Sequence, residues 1–217
     1  MIVAVNKPKG ITSFDVVKYV RKETGVKKVG HAGTLDPFAE GVLVLGLGPS
    51  TKELTSVSHE QKEYHAWLQL GKTTNTLDSD GEITNEKQIP EFDDMKIADV
   101  FKSFTGVIPQ IPPMFSAKKM NGVRLYKLAR KNIEIEREPV KVHIYKLDLI
   151  SFENNVIEFT VVCSRGTYIR QLGADISEAL GTVGYLIKLV RLSVGNYKIN
   201  ECLNLSEFKE QWKSIES

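Results

Sequence analysis

A chain of 217 residues, 41% of them hydrophobic, is long enough to bury one sizeable core or at most two small ones, and we read residues 1–217 as a single domain. A net charge of +2 is too small to announce a nucleic-acid binder, and two cysteines far apart in sequence, Cys163 and Cys202, argue for buried or incidental thiols rather than a disulfide, metal or redox pair. No apolar run approaches the roughly 20 residues that a membrane-spanning helix needs. Residues 1–6, followed by Lys-Pro-Lys-Gly, have neither the length nor the cleavage site of a secretory signal, so a cytoplasmic protein with no membrane partner is expected.

In chain order, apolar alternation predicts a strand over 2–6 and helical spacing a helix over 13–23, with Ser13 suited to the N-cap and Gly25 to a left-handed helix end. A strand over 42–47 leads to a helix over 50–57, again opened by a serine, Ser50. Residues 63–70 alternate as a strand, Asp78-Ser79-Asp80-Gly81 reads as an exposed turn, and 94–104 has helical spacing. A helix over 123–131 precedes strands over 140–152 and 156–163, joined by a hairpin turn at Asn154-Asn155. Helices over 168–180, followed by Gly181, and over 206–213 complete the chain. The sum is an α/β protein of the α+β type, a mixed and mostly antiparallel sheet flanked by helices and loops. No repeat or low-complexity linker divides it.

Charge is unevenly spread. Residues 113–146 carry nine Lys/Arg against three Glu, whereas residues 73–112 carry three Lys against eight Asp/Glu. A solvated face is the ordinary meaning of such a basic run. Here Phe115, Tyr126 and Tyr145 are interleaved with the charges, which suits a surface that tracks phosphates and stacks on bases.

The best candidate for chemistry is Asp36, in His31-Ala32-Gly33-Thr34-Leu35-Asp36-Pro37. Pro37 pushes Asp36 out of the helical region, and Gly30, Gly33 and Gly41 let the backbone turn tightly and approach a ligand. Taken alone, Asp-Pro is ordinary turn chemistry. Gly46-Leu47-Gly48-Pro49-Ser50-Thr51-Lys52 superficially suggests a phosphate loop. Pro49 and the position of the lysine break the nucleotide-binding pattern, which leaves only a helix start where Ser50 and Thr51 would meet an RNA phosphate.

Gly30 to Pro37, with Gly41-Val42-Leu43 and Thr51-Lys52, closely resemble the signature of the TruB family, the tRNA pseudouridine-55 synthases. Four further blocks follow the family's order. Lys7-Pro8-Lys9-Gly10-Ile11-Thr12-Ser13 resembles its opening motif, and Tyr64 stands where it places an active-site tyrosine. Pro112-Pro113-Met114-Phe115-Ser116-Ala117 with Lys119, Gly122, Leu125-Tyr126 and Ala129-Arg130 resembles its central segment, and Ser164-Arg165-Gly166-Thr167-Tyr168-Ile169-Arg170 its second catalytic motif. The resemblance implies a pseudouridine synthase fold and a cofactor-free, metal-free isomerase that acts on a uridine of the TΨC loop in the T-arm of tRNA, as a monomer without an obligatory protein partner. The family usually continues into a small C-terminal RNA-binding domain of the PUA type, and no such segment is seen before Ser217.

That reaction detaches uracil at N1, turns it and rejoins it through carbon 5. It therefore needs a carboxylate, a closed pocket and a route for the carbon 5 proton. The resemblance makes Asp36 the essential carboxylate, whether it attacks sugar or base or assists elimination to a glycal. It makes Arg170 the cation that would keep Asp36 ionised, and Tyr64 a stacking face for the flipped uracil; a phenol with an ordinary pKa of about 10 is a weaker choice as general base. His31 is open to three readings: a structural loop histidine, a wedge replacing the extruded nucleotide, or a metal ligand, the last without support from the spacing of His59, His65 and His143. Lys52, Lys119, Arg124, Arg130 and Arg137 are candidate RNA backbone contacts, while Lys7 and Tyr168 are expected to support the site. Two competing readings are a guide-RNA-dependent synthase, whose extra segments are not found, and a noncatalytic RNA-folding module, which would need no ionised Asp36.

Overall fold

Strict alternation in Ile2–Lys7 turns Val3, Val5 and Lys7 to one side, and so forms a strand whose third inward residue is a lysine. The computed structural model describes residues 1–120 and 122–216. Its first elements are β1 (Ile2–Lys7), α1 (Ser13–Thr24), β2 (Val29–His31), β3 (Glu40–Leu47), a 3-10 turn over Gly48–Lys52, α2 (Leu54–His59) and β4 (Lys62–Leu70). There follow β5 (Lys72–Thr74), β6 (Ile83–Glu86), α3 (Asp94–Phe104), β7 (Gly106–Gln110), β8 (Lys119–Met120), β9 (Val123–Arg124), α4 (Leu125–Ala129), β10 (Val140–Glu153) and β11 (Val156–Cys163). The chain closes with α5 (Ile169–Ala179), β12 (Gly184–Val194), β13 (Tyr197–Lys198), β14 (Leu203–Asn204) and α6 (Phe208–Glu216). No helix among the described residues is long and apolar enough to cross a membrane.

The chain forms two compact units, Met1–His65 with Leu189–Ser217, and Ala66–Lys188. In the first, β1 runs antiparallel to β3 from Ile2 opposite Gly46 to Lys7 opposite Gly41, and β14 joins β1 in parallel. The end of β12 lies parallel to β3, with Arg191 opposite Gly41. Strand β3 is buried on both faces, which explains its unbroken apolar run. Val3, Val5, Leu43 and Leu45 pack with Val16, Val17 and Val20 of α1 and with Phe208 and Trp212 of α6, whereas Val42 and Val44 pack with Ala32, Leu54 and Val194. In the second unit, β7, β10 and β11 form an antiparallel ladder, closed at Asn154 and Asn155 by two left-handed residues as the hairpin reading required. Helix α3 sets Phe101 edge-on to Phe159 of β11, with ring centres 5.7 Å apart.

Several local expectations need correction. Thr12, not Ser13, caps α1: its hydroxyl accepts the Asp15 N–H at 3.0 Å and the Asp15 carboxylate accepts the Thr12 N–H, a reciprocal box, while Ser13 is turned inward. The helix expected over 50–57 breaks into the 3-10 turn and α2, and the Ser50 hydroxyl accepts the N-terminal amine at 2.8 Å, so it is not held open for a phosphate. The helix expected over 123–131 starts only at Leu125, because Val123 and Arg124 pair with Met120 and Lys119. Strand β12 escaped the sequence reading altogether. Its buried positions, Gly184, Leu186, Leu189, Arg191 and Val194, step by two, three, two and three, so no period of two survives.

The α6 contact sets a stability prediction. Phe208 is fully buried, its ring stacked on Trp212 at 5.7 Å and edge-on to Tyr19 at 6.1 Å. Phe208→Ala should cost about 3–5 kcal/mol, the usual effect of emptying an aromatic core position. Urea unfolding checks it, and a loss below about 1 kcal/mol would mean that α6 is not part of the core.

Candidate active site

The loop from His31 to Pro37 is tied at both ends within the first unit. On its far side, the Ser13 hydroxyl donates to the Leu35 carbonyl and accepts the Leu35 N–H, both at 2.9 Å. The Gly10 N–H donates to the Pro37 carbonyl at 2.8 Å, and the Lys7 ammonium reaches the same oxygen at 3.5 Å while donating to Pro8 and Ile11. Lys7 has no solvent exposure, so its three carbonyl acceptors are what makes a buried ammonium tolerable. The opening motif thus clamps the two residues that flank Asp36. Asp36 itself is half-exposed, and its carbonyl accepts the Ala39 N–H.

The near side of the loop is held by a residue the sequence reading did not single out. Arg191 of β12 donates through Nε to the Val42 carbonyl at 2.7 Å and through its two terminal nitrogens to the carbonyls of Thr34 and Gly33, each at 3.3 Å. Two cations, Lys188 and Arg191, interrupt the largely apolar run Leu186 to Val194, and that was the available signal. Gly41 is what lets β12 come so close: a Cβ there would lie 2.3 Å from the Arg191 carbonyl oxygen.

His31 sits at the loop's start, half-buried, with its Nδ1 enclosed and unpartnered. Burial, aided by the Arg191 charge, lowers its pKa below the ordinary histidine value, against a backbone hydrogen bond involving Gly33, so the ring is neutral at neutral pH. Tyr64 is buried on β4 in this same unit, and Lys52 is exposed at the end of the 3-10 turn.

The second unit holds the other constellation. Arg170 opens α5 and is buried. Its guanidinium donates to the carbonyls of Thr76 and, at 2.8 Å, of Phe115, and it forms an ion pair with Asp78 at 3.4 Å. The exposed turn expected at 78–81 is therefore half wrong: Ser79 and Asp80 face solvent, but Asp78 is buried. Its carboxylate also accepts from the Thr76 hydroxyl at 2.6 Å and the Asp80 N–H at 3.0 Å. The turn is held in a strained form, with Leu77 left-handed at φ 61°, a conformation that costs a non-glycine residue about 1 kcal/mol or more. The ion pair, the Thr76 hydroxyl and Asp80 N–H donating to the Asp78 carboxylate, and the Thr74 hydroxyl, which donates to the Asp78 carbonyl and accepts the Asp78 N–H, hold that strain in place.

Tyr168 is positioned through its backbone. The buried amide of Gln110, at the end of β7, accepts the Tyr168 N–H at 2.8 Å and donates to the Tyr168 carbonyl at 3.1 Å, imitating a strand partner two residues ahead of Arg170. Of the basic candidates, Lys119 and Arg130 are exposed, with Arg130 over the Tyr126 ring at 5.5 Å. Arg137 is mostly enclosed and spends its terminal nitrogens on the Pro112 carbonyl and Glu134.

The mixed α/β fold recurs in solved structures. A chain in the crystal structure of a Cbf5-Nop10-Gar1 complex superposes with a TM-score of 0.77 at 27% identity over all of this chain, and one in an H/ACA RNP bound to a substrate RNA containing 2'-deoxyuridine with 0.72 at 25%. This chain spans 55% of each. Residues 21–169 match the family model of the TruB family pseudouridylate synthase, N-terminal domain. The tRNA pseudouridine synthase B of Clostridium tetani is 45% identical over 97% of this chain and 73% of its own length, and that of Thermosipho melanesiensis 47% identical over 97% and 69%. The chain belongs to the TruB family of pseudouridylate synthases.

Proposed function

We propose that the protein isomerises uridine 55 in the TΨC loop of tRNA to pseudouridine, with Asp36 as the essential carboxylate, and that it does so as a cytoplasmic monomer without cofactor, guide RNA or protein partner. Residues 1–217 act in this reading as one catalytic domain. The observation that carries it is the bracing of the Asp36 loop by the opening motif, since Ser13 and Gly10 spend their polar groups on the residues either side of that carboxylate and the Lys7 ammonium reaches one of them at 3.5 Å. The substrate follows from relatives named tRNA pseudouridine synthase B at about 45% identity over most of the chain.

The reaction is an internal exchange of bonds. The bond from ribose C1′ to uracil N1 breaks, a bond from C1′ to carbon 5 forms, carbon 5 loses its proton and N1 gains one, so nothing external is consumed. In this proposal Asp36 assists cleavage of the first bond, Arg170 is the cation that keeps that carboxylate ionised, Tyr64 stacks on the detached base, and His31 takes the place of the flipped nucleotide. Lys52, Lys119, Arg130 and Arg137 supply the RNA backbone contacts, and Lys7 and Tyr168 support the site.

The test is tritium release from tRNA carrying uridine labelled at carbon 5, with the product mapped by position, alongside an isolated T-arm stem-loop. Release from position 55, at similar efficiency on stem-loop and intact tRNA, is expected. No release from either RNA would leave an RNA-folding module, and release at another position would overturn the substrate.

Tyr64 offers a sharper division of roles. Tyr64→Phe keeps a stacking face and deletes the hydroxyl, whereas Tyr64→Leu removes both. With stacking dominant, the Phe variant should lose less than about 10-fold in single-turnover rate and the Leu variant on the order of 100-fold, since base-aromatic stacking contributes about 1–3 kcal/mol. Equal, severe losses with unchanged RNA binding would assign the hydroxyl to proton transfer instead.

A further inference from the structure

A guanidinium with 1% exposure is expensive to bury, and replacing a buried ion by an apolar side chain of similar volume is often neutral or stabilising, so fold stability alone is a poor reason for a charge at this position. What the charge does have is a planar fork with fixed directions. At Arg191 that fork is divided between two elements. Nε is anchored on the Val42 carbonyl of β3, and the two terminal nitrogens hold the carbonyls of Thr34 and Gly33, two and three residues before Asp36.

The loop needs such a hold. Gly33 is left-handed at φ 87°, and beyond the Ala32 N–H, which pairs with the Val44 carbonyl, the backbone leaves the sheet. After Asp36 the loop is held at Pro37 by Gly10 and Lys7, and immediately before it Ser13 holds Leu35. Arg191 adds the hold further back, at Gly33 and Thr34, where the backbone has left the sheet. Lys7 and Arg191 face each other across Gly41 in three adjacent strands, so two buried cations converge on the carbonyls of the loop that carries the carboxylate.

We propose that Arg191 is a positioning residue of the isomerisation, fixing the Gly33 and Thr34 carbonyls to β3 and so setting the direction from which the Asp36 carboxylate meets the nucleotide. The inference rests on the reading of Asp36 as the essential carboxylate. It predicts a defect in chemistry with little defect in binding, because a carboxylate displaced by about 1 Å loses rate on the order of 100-fold while the RNA surface stays intact.

Arg191→Lys keeps the charge but offers one point donor in place of a fork, and Arg191→Met keeps only the bulk. For each, we would measure the RNA dissociation constant, the single-turnover rate at saturating tRNA and the thermal midpoint, with wild type and Asp36→Asn in parallel. The Lys variant should fold, bind RNA within about 3-fold of wild type and lose roughly 30- to 100-fold in rate, and the Met variant should lose more, so that the lysine is a partial rescue. Wild-type rates in folded variants, or rate losses no larger than the losses in binding, would overturn the proposal. Failure of both variants to fold would also overturn it, since Arg191 would then serve only the fold. Substantial turnover by Asp36→Asn would remove the underlying reading of Asp36 instead, a result the parallel control tells apart.

Discussion

Asp36→Asn should bind tRNA like the wild-type protein and release no tritium above background, a loss of at least about 10⁴-fold in rate. The substitution exchanges one carboxylate oxygen for an amide nitrogen at nearly constant volume. The restraints on the loop do not depend on it: they run from Ser13 to Leu35, from Gly10 and Lys7 to Pro37, and from Arg191 to Gly33 and Thr34. The loop should therefore keep its path, and RNA affinity and thermal midpoint should stay close to wild type. Single-turnover assays together with binding measurements check this. Measurable multiple turnover by a sequence-verified variant would end the carboxylate mechanism, and lost binding would instead give Asp36 a role in holding RNA.

Arg170 and Asp78 should fail in different ways. Arg170→Lys keeps a positive charge but cannot reach the Thr76 and Phe115 carbonyls and Asp78 at once, so a drop in turnover on the order of 100-fold is expected, with the protein still folded. Asp78→Asn removes a carboxylate that is ion-paired to a buried guanidinium, which should cost about 3–5 kcal/mol of stability, and activity should fall with it. It also weakens the hold on a turn whose Leu77 is left-handed. Denaturant unfolding and single-turnover kinetics on both variants separate the two effects. A fully active Arg170→Lys would argue that the site needs only a charge, and an Asp78→Asn as stable as wild type would show that the Asp78 charge is not what makes the buried Arg170 tolerable.

Periodicity made most elements legible. The strands β1, β3, β4, β10 and β11 and the helices α1, α3 and α5 lie within two residues of their expected ends, because each presents one face, or both, to a core and the apolar spacing records that directly. The Asn154-Asn155 hairpin and the left-handed Gly25 were legible for the same kind of reason, since local backbone chemistry depends on few neighbours. The motifs around Asp36 and Arg170 supplied the proposed site residues without help from the fold. Partners brought from afar were not legible. Asp78 reads as a turn residue until Arg170, 92 positions later in the numbering, is laid against it, and Arg191 stands in a stretch without strand periodicity and draws no notice until its fork is seen on carbonyls about 150 residues away. Gln110 is one more polar residue at a strand end until its amide meets the backbone of Tyr168. A side chain's period along the chain reports which face is buried. Which buried polar group completes its hydrogen bonds with which is decided only when distant strands pair, and here that pairing decides how the proposed catalytic carboxylate is held.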